Sequence, residues 1–363
     1  MDRYDAVLGE AVSAALAAGL RARGVSSPNP PVGAAVLDPA GALIAEGATE
    51  PAGGRHAEVV ALDAAGERAR GGTLVVTLEP CAHTGRTGPC TQRILDAGVA
   101  RVVYGVTDPN PVAAGGASVL SAAGVSVEQS LMVQAEAAAE SLRWWLHRQG
   151  TGRPFVTWKY AASLDGYVAA VDGTSRWITS ETSRAHAHER RETADAILVG
   201  TGTQRADDPT LSARHPDGSP RARSPLACVM GVRDVPADAA IRRSPGGFRH
   251  LPTRDPAEAL ALLPEALHVI VEGGPTVAGA FLDAGLVDEI EAYLAPIILG
   301  GGRSITEGAV AATLAEAPRF RIDNQEYLED DTHLVLLPWS DEQPEFGWSM
   351  YPPGTGPAHE SEE

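Results

Sequence analysis

Hydrophobic and polar positions along residues 1–149 follow helix-like and strand-like patterns in turn. An alanine-rich segment from Tyr4 to Ala18 predicts an α-helix. Two short apolar runs, Val32 to Leu37 and Ala42 to Gly47, flank the turn residues 38–41 and predict a β-hairpin. Further strands are predicted at 73–77 and 101–107, and further helices from His56, from Cys90, at 118–123 and at 131–148. This alternation predicts an α/β domain.

The second half of the chain contains short apolar runs that are typical of strands buried on both faces of a parallel sheet. These strands are predicted at 194–200, 226–230, 268–271 and near 288–294. Residues 150–154 predict a linker, and residues 340–363 are acidic, rich in Pro and Gly and without apolar periodicity, which predicts a disordered tail. We therefore expect domains at 1–149 and 155–339.

Length and charge narrow the classes of protein that this chain can represent. The 363 residues are enough for about two domains with substantial cores. Lys and Arg number 29 against 47 Asp and Glu, which gives a net charge of −18. That charge repels nucleic acids and argues against a nucleic-acid groove, although a few local arginines can still hold a small phosphorylated substrate.

Cysteine content and the N-terminal sequence predict a cytoplasmic protein. The chain has 3 cysteines, too few for a disulfide framework once two are assigned to a metal site. Cys228 lies in an apolar run and is predicted to be a buried strand residue. Met1 to Tyr4 do not begin a basic and then apolar leader, and no apolar run approaches the length of a membrane span.

The strongest chemical signal is one histidine, one glutamate and two cysteines in a fixed order. His56-Ala57-Glu58 is followed by Pro80-Cys81 and then by Cys90. Zinc deaminases carry H-x-E and then P-C-x-x-C, with the histidine and both cysteines on the metal and the glutamate free as general acid and base. Here residues 82–89 separate the two cysteines, which is wider than that spacing. The order nevertheless predicts a zinc site of His56, Cys81 and Cys90.

Three protein ligands leave a fourth position for water, which is typical of a catalytic zinc site. The metal lowers the pKa of that water towards about 7. If His56 and Glu58 lie in the first turn of a helix, the Glu58 carboxylate can face the water without binding the metal. Glu58 is therefore the predicted proton carrier. Both halves of the site are expected at helix starts, where backbone N–H groups favour thiolates.

Two simpler interpretations of these residues remain open. His56 could be a surface histidine, with Cys81 and Cys90 as small buried apolar residues. Alternatively, the zinc site could be structural, with His83 as its fourth ligand. We expect His83 to be a pocket residue instead.

In the second half, Val271 to Thr276 predicts a strand that runs through two glycines into a helix. Such a turn lets a phosphate approach the backbone N–H groups of a helix N-terminus. A glycine pair alone is more often only a tight turn. Polar and aromatic residues occupy predicted loops after strands, where ligand sites of α/β folds gather: Lys159, Asp165, Ser175, Arg176, Trp177, Asp207, Asp208 and Arg214.

From Tyr4 to about Trp339 the chain resembles the bifunctional riboflavin-biosynthesis deaminase/reductase family. In the first half the resemblance rests on four strings: 28–33 (PNPPVG), 56–59 (HAEV), 77–90 (TLEPCAHTGRTGPC) and 108–111 (DPNP). In the second half it rests on Lys159 with 162–166 (ASLDG), 175–180 (SRWITS), 206–209 (ADDP) and 272–280 (EGGPTVAGA). The wide cysteine spacing is a feature of this family.

The resemblance implies a cytidine-deaminase-like domain followed by a dihydrofolate-reductase-like domain, with one zinc ion and NADPH. The first domain would remove the 2-amino group of 2,5-diamino-6-(ribosylamino)-4(3H)-pyrimidinone 5′-phosphate. The second would use NADPH to reduce the ribosyl chain of the product to a ribityl chain, with hydride added to the sugar carbon bonded to nitrogen. The resemblance also implies a homo-oligomer formed through the reductase domain.

The family's ligand contacts carry over to matching positions of this chain. Substrate contacts are implied for Asn29, Lys159, Ser175, Arg191, Leu211, Arg214 and Glu272, where the two arginines are suited to a phosphate. NADPH contacts are implied for Ala161, Trp177, Thr203, Asp207, Gly274, Pro275, Thr276, Val277, Ala278, Gly279 and Ala280. Without the resemblance, core packing of Trp177 and a turn at Asp207 would be the simpler interpretations.

The chain departs from the family pattern at three places. Gly116 stands where a basic residue is usual between two glycines, and Gly231 stands where an aspartate is common. The helix expected before His268 is short. The first departure would remove a phosphate or substrate contact from the deaminase, and the others would affect cofactor affinity and dimer packing.

Two alternatives belong to other functional classes. In one, only the deaminase is active and the second half is a binding or dimerisation module. In the other, a zinc deaminase acts on a base in tRNA or DNA and the second half is a targeting domain. The net charge of −18 and the lack of interleaved aromatic and basic residues argue against the second alternative.

Overall fold

A computed structural model describes residues 3–83, 88–308 and 311–339, with side chains from residue 8 onward. The predicted tail at 340–363 and part of the loop between Cys81 and Cys90 lie outside the described residues. Within the part of the chain that is described, no helix combines the length and the apolar character needed to cross a membrane.

The N-terminal unit is a five-stranded sheet covered by helices. Its elements are α1 (Arg3–Ala22), β1 (Gly33–Leu37), β2 (Leu43–Ala48), α2 (Ala57–Ala65), β3 (Thr73–Leu78), α3 (Cys90–Ala97), β4 (Arg101–Val106), α4 (Gly116–Ala122), β5 (Ser126–Gln129), α5 (Leu131–Ala139) and α6 (Arg143–Thr151). The strand order is β2-β1-β3-β4-β5, with β1 antiparallel to both neighbours and β3, β4 and β5 parallel. Buried Val, Leu and Ala side chains fill the space between this sheet and its helices.

Most predicted elements of this unit are confirmed, and two are corrected. The hairpin β1–β2 and the helix starts at His56 and Cys90 lie where the pattern predicts them. The single helix predicted over 131–148 is wrong, because the chain breaks at 140–142 and forms α5 and α6. Strand β5 was not predicted, and only Val127 and its neighbours in a mostly exposed edge strand signal it.

The C-terminal unit is built on an eight-stranded sheet. Its elements are β6 (Phe155–Ser163), β7 (Tyr167–Ala169), α7 (Glu181–Thr193), β8 (Ala196–Gly200), α8 (Thr201–Asp207), β9 (Leu226–Met230), β10 (Phe248–Leu251), α9 (Pro256–Ala261), β11 (His268–Gly273), α10 (Pro275–Asp283), β12 (Glu289–Ala295), β13 (Arg303–Ser304), β14 (Phe320–Leu328) and β15 (Asp331–Pro338). The order is β10-β9-β8-β11-β6-β12-β15-β14, parallel from β10 to β12 and antiparallel at β15 and β14. Strands β7 and β13 form a separate pair.

The four predicted buried strands of this unit correspond to β8, β9, β11 and β12 and are confirmed. The short helix before His268 is also confirmed, because α9 has six residues. Lys159 was expected to follow a strand, but it lies inside β6 and is paired opposite Glu291 of β12. The expected linker at 150–154 begins within α6, which continues to Thr151.

The two units share a packed junction. Phe155 and Leu267 of the C-terminal unit are buried in the hydrophobic core of the N-terminal unit. The Arg143 guanidinium donates to the Glu289 carboxylate at 2.7 Å, and Arg148 donates to the carbonyl oxygens of Pro264 and Ala266 at 2.6 and 2.9 Å. Because α6 makes these bonds, its orientation is fixed by the C-terminal unit.

Candidate functional sites

The N-terminal unit brings His56, Cys81 and Cys90 together. His56 is the N-cap residue of α2, Cys81 follows β3, and Cys90 is the first residue of α3. The His56 Nδ1 atom lies 3.7 Å from Cys81 Sγ and 3.2 Å from Cys90 Sγ. The Cys90 backbone N–H donates to Cys81 Sγ at 3.3 Å. The three ligand atoms lie within 4.8 Å of one another, as atoms that bind one ion would.

The ionisation of the two thiols fits a dication. A hydrogen bond from the Cys90 thiol, aided by His56, lowers the pKa of Cys81 to about 4 despite burial. The neighbouring Cys81 sulfur and burial raise the pKa of Cys90. Zn²⁺, when bound, would supply the positive charge that stabilises both thiolates against these opposing effects.

We expect Cys81→Ser to lose the metal. A serine hydroxyl does not ionise near neutral pH and is a poor zinc ligand beside an imidazole and one thiolate. Zinc measured by atomic emission should fall from about one ion per chain to a small fraction of that. The matched control is Cys228→Ser, because Cys228 is buried in β9 far from the cluster and its replacement should leave the zinc content unchanged.

Glu58 lies in the first turn of α2, two residues after His56, and its side chain is only 4% exposed. Burial, reinforced by the negative charge on Cys81, raises the pKa of Glu58. The residue lines the same cavity as His56 and Cys81. A buried carboxyl beside a metal cluster and open to a cavity can exchange protons with a bound molecule.

The cavity at this cluster has a volume of about 540 Å³ and is lined from both units. Asn29 and His83, both predicted as pocket residues, line it. On the side of α6 and the C-terminal unit it is lined by Trp145, Gln149 and Glu265. Those three positions carry no local sequence signal, and the sequence alone did not predict them.

Glu79 lies two residues before Cys81 and connects the metal site to a neighbouring loop. Its carboxylate accepts hydrogen bonds from the backbone N–H groups of Asp108, Gly115 and Ala117 at 3.3, 3.2 and 3.1 Å. Glu79 therefore ties the loop after β4 and the start of α4 to the strand that leads to Cys81.

The C-terminal unit contains a second cavity of about 700 Å³. It is lined by eight residues that the family resemblance assigns to ligands: Lys159, Ala161, Ser175, Trp177, Arg191, Asp207, Leu211 and Arg214. Trp177 is 70% exposed and lies under the Arg184 guanidinium at 4.4 Å, so it is not a core residue. Asp207 ends α8 and faces the cavity.

Lys159 and Arg191 form the polar wall of the second cavity, and Glu272, which is not part of the lining, pairs with Arg191. The Arg191 guanidinium donates to both Glu272 carboxylate oxygens at 2.7 and 2.6 Å. Burial disfavours the Glu272 carboxylate, but the charges of Arg191 and Lys159 outweigh it and lower the pKa of Glu272 to about 2. Burial also lowers the pKa of Lys159, against the opposing charge of Glu272. The site thus combines a fixed carboxylate with an ammonium that loses its proton more easily than usual.

The segment from Gly274 to Ala280 lies next to Thr203 rather than in the lining of the second cavity. Thr203 Oγ1 donates to the Gly273 carbonyl oxygen at 3.2 Å. Gly273 and Gly274 have φ values of 78° and 40°, which glycine adopts readily. They lead the chain into α10, where Ala278 is 1% exposed and packs in the core. The first turn of α10 presents the backbone N–H groups that an anion needs.

Among the lining residues of the second cavity that the sequence did not predict, His188 and Tyr293 lie beside its charged side chains. His188 lies three residues before Arg191 on α7, and this i, i+3 spacing could have placed it on the same helix face. Burial and the charges of Arg191 and Arg214 lower the pKa of His188 to about 4, so its imidazole is neutral. The Lys159 ammonium lies 5.4 Å from the centre of the Tyr293 ring.

Gly116 and Gly231, the two glycines that depart from the family pattern, are each required by the local backbone. A Cβ atom at Gly116 would lie 1.7 Å from the Pro80 carbonyl oxygen, so this position faces the backbone rather than the cavity. Gly231 has a φ of 138°, and a Cβ atom there would lie 2.8 Å from Thr201 Cγ2. In this chain both backbone paths require glycine.

Comparison with protein families identifies two regions. Residues 8–106 match the cytidine and deoxycytidylate deaminase zinc-binding region, and residues 154–334 match the RibD C-terminal domain. The first match contains His56, Cys81 and Cys90, and the second contains the residues of the second cavity.

Individual relatives cover nearly the whole chain. The Riboflavin biosynthesis protein RibD of Mycobacterium tuberculosis is 48% identical over 90% of this chain and 96% of its own length. That of Escherichia coli is 36% identical over 87% of this chain and 95% of its own. The RibD structure from Acinetobacter baumannii superposes with a TM-score of 0.81 at 33% identity, covering 91% of this chain and 98% of its own. The Thermotoga maritima diaminohydroxyphosphoribosylaminopyrimidine deaminase/5-amino-6-(5-phosphoribosylamino)uracil reductase has a TM-score of 0.83 at 30% identity, covering 92% and 99%.

Proposed function

The chain belongs to the RibD family of bifunctional riboflavin-biosynthesis enzymes, and from this premise we propose which residues carry each of its two reactions. The enzyme is a zinc-dependent deaminase and an NADPH-dependent reductase. It deaminates 2,5-diamino-6-(ribosylamino)-4(3H)-pyrimidinone 5′-phosphate and reduces the ribosyl chain of the product, giving 5-amino-6-(ribitylamino)uracil 5′-phosphate. The main observation behind the proposal is that one chain contains two cavities, one beside His56, Cys81 and Glu58 and one lined by Lys159 and Arg191.

For deamination we assign His56, Cys81 and Cys90 as zinc ligands and Glu58 as the catalytic acid and base. Zinc, when bound, activates a water for attack on the ring carbon. The Glu58 carboxylate accepts the proton of the attacking water and returns it to the amino group that leaves as ammonia. The cavity position of Asn29 suits a hydrogen bond that orients the pyrimidine ring.

For reduction we assign the polar wall of the second cavity to the substrate. NADPH, when bound, supplies the hydride for the sugar carbon. Glu272, held by Arg191, orients the substrate, and Lys159 is placed to donate a proton to it because burial has lowered its pKa. Ser175 and Leu211 complete the substrate side of the cavity.

We assign NADPH to the residues on the remaining side and to the first turns of α10. These are Ala161, Trp177 and Asp207 of the cavity lining, Thr203 beside Gly273, and the segment from Gly274 to Ala280. Support comes from the two glycines before α10, which let a phosphate approach a helix N-terminus.

Arg214 lines the second cavity without an ion-pair partner within the described residues, which suits it to the substrate phosphate. We expect Arg214→Ala to raise the KM for reduction by about tenfold with little change in kcat, because it removes uniform binding. Arg214→Lys should recover part of the affinity. Steady-state kinetics with the deaminated substrate would measure this, and a loss confined to kcat would assign Arg214 a transition-state role instead.

We further propose that residues 1–149 form the deaminase domain and 155–339 the reductase domain, and that copies associate through the reductase. Strand β14 is at the edge of the eight-stranded sheet and exposes Ile322 and Tyr327, as a strand that meets a second copy would. The three cysteines are free thiols, which suits a cytoplasmic location.

The alternative of an active deaminase with an inert second half is not favoured, because Lys159 and Arg191 line the second cavity and Arg191 keeps its ion pair with Glu272. The assignment of two reactions to two sites is tested by supplying each substrate separately. The diamino compound alone should release ammonia without NADPH, and the deaminated compound with NADPH should give NADPH oxidation without ammonia. Failure of either half-reaction would remove that activity from the chain.

A further inference from the structure

The deaminase cavity has one acidic wall residue that comes from the reductase half of the chain. Glu265 lies between α9 and β11 and lines this cavity with Trp145 and Gln149 of α6. Glu265 is separated by more than two hundred positions from the zinc ligand His56, so only the packed junction brings it to the site.

The backbone around Glu265 is held on both sides. Arg148 donates to the carbonyl oxygens of the residues that flank it, Pro264 at 2.6 Å and Ala266 at 2.9 Å. The N–H groups of Leu267 and His268 donate to Asp195 Oδ2 at 2.8 and 3.0 Å. Leu267 is 2% exposed in the core of the deaminase domain. The position of Glu265 at the cavity is therefore built into the structure.

The Glu265 carboxylate is free to bind a ligand. Within the described residues it has no hydrogen bond or ion pair and its side chain is exposed. The other acids that line the cavity are engaged: Glu79 by three backbone N–H groups, Asp108 by the Asn110 N–H, and Glu58 by its burial beside the zinc cluster. Glu265 is the uncommitted carboxylate of this described lining.

We propose that Glu265 binds the ribosyl hydroxyls of the deaminase substrate, an inference that rests on the proposed function. The ring carbon that loses its amino group must lie at the zinc cluster, and in this proposal the ribosyl group lies against the wall formed by α6 and Glu265. A carboxylate offers two acceptor oxygens to neighbouring hydroxyl groups, as acidic residues do for ribose in dinucleotide sites. The same charge repels the phosphate, which must point away from Glu265.

This arrangement makes the reductase half part of the deaminase active site. Glu265 is a binding residue, and Arg148 is a positioning residue that acts through the loop at 264–266. The affinity of the deaminase for its substrate then depends on the junction between the domains, although the metal and Glu58 lie entirely in the first domain.

The test compares Glu265→Ala, Glu265→Gln and the control Glu258→Ala in the full-length, zinc-loaded enzyme. Glu258 is an exposed glutamate of α9 that does not line the cavity. We expect Glu265→Ala to raise the KM for ammonia release by about tenfold with kcat unchanged, the scale of a hydrogen bond to a charged group. Glu265→Gln should show a smaller rise and Glu258→Ala none. Zinc content and NADPH oxidation with the deaminated substrate should match those of the wild type.

A substrate analogue that lacks one ribosyl hydroxyl distinguishes two explanations of a raised KM in Glu265→Ala. One is the loss of a direct contact between Glu265 and the hydroxyl group, and the other is a disturbed loop at 264–266. The wild type should lose affinity for the analogue, whereas Glu265→Ala should treat analogue and substrate alike. An unchanged KM in Glu265→Ala, or an equal loss for the analogue in both enzymes, would overturn the inference. These outcomes leave wild-type deamination intact, whereas failure of the proposed function would appear as absent ammonia release in the wild type.

Discussion

Replacing Glu58 by glutamine should abolish deamination while zinc stays bound. The amide is nearly the same size as the carboxyl group but cannot accept the proton of the attacking water. General acid–base catalysis contributes about 10²–10⁴-fold to a rate, so we expect a loss of at least that size in the rate of ammonia release. The zinc content should not change, because Glu58 is not one of the three ligands.

NADPH oxidation with the deaminated substrate is the internal control for Glu58→Gln, since the second cavity does not include this residue. A variant that keeps its zinc, keeps its reductase activity and loses ammonia release would support the assignment. Ammonia release at the wild-type rate by the zinc-loaded variant would show that another group carries the proton.

Replacing Glu272 by alanine should remove most of the reductase activity. The change takes away a substrate contact and leaves the Arg191 guanidinium partly buried without its bidentate partner. Breaking a buried ion pair from one side costs about 3–5 kcal/mol. We therefore expect a lower melting temperature, and the lost substrate contact should lower kcat/KM for reduction by about a hundredfold, the upper scale of a hydrogen bond to a charged group.

Because Glu272→Ala could act by unfolding the second domain, Glu272→Gln provides the sharper comparison. Glutamine keeps one acceptor for Arg191, so its melting temperature should approach that of the wild type while the reductase activity stays low. Glu258→Ala, at an exposed site on the same domain, should leave the reductase activity unchanged. Normal reductase kinetics in Glu272→Gln would contradict a role for the carboxylate.

Most of the fold was predictable from local sequence patterns. One prediction that failed, a single helix over 131–148, failed because tertiary packing decides the structure there. The hairpin and the strands β8, β9 and β11 follow directly from short apolar runs between turn residues. The break between α5 and α6 has no glycine or proline to mark it. Ser141 and Leu142 are fully buried there, and a Cβ atom at Gly19 would lie 2.9 Å from Ser141 Oγ. Packing against α1 decides this break, and a local pattern does not contain that information.

The residues of the candidate sites also fall into those that a local motif predicts and those that only the folded structure brings together. His56, Cys81, Cys90 and Glu58 form a motif in which ligand chemistry and order together indicate the site, and the structure brings the three ligands together. Lys159 was misplaced because β6 carries a lysine in a strand that is otherwise largely apolar and buried. Trp145, Gln149 and Glu265 belong to no motif, and Glu265 reaches the zinc cluster only because the two domains pack.

The central claim is that one chain performs deamination and then reduction on one intermediate. The most direct test supplies zinc-loaded enzyme with the diaminopyrimidinone ribotide, with and without NADPH, and follows ammonia and NADPH absorbance in the same sample. We predict ammonia in both cases and, with NADPH present, one NADPH oxidised for each ammonia released after a short lag. Ammonia release without any NADPH oxidation would contradict the claim and leave the second domain without its reaction.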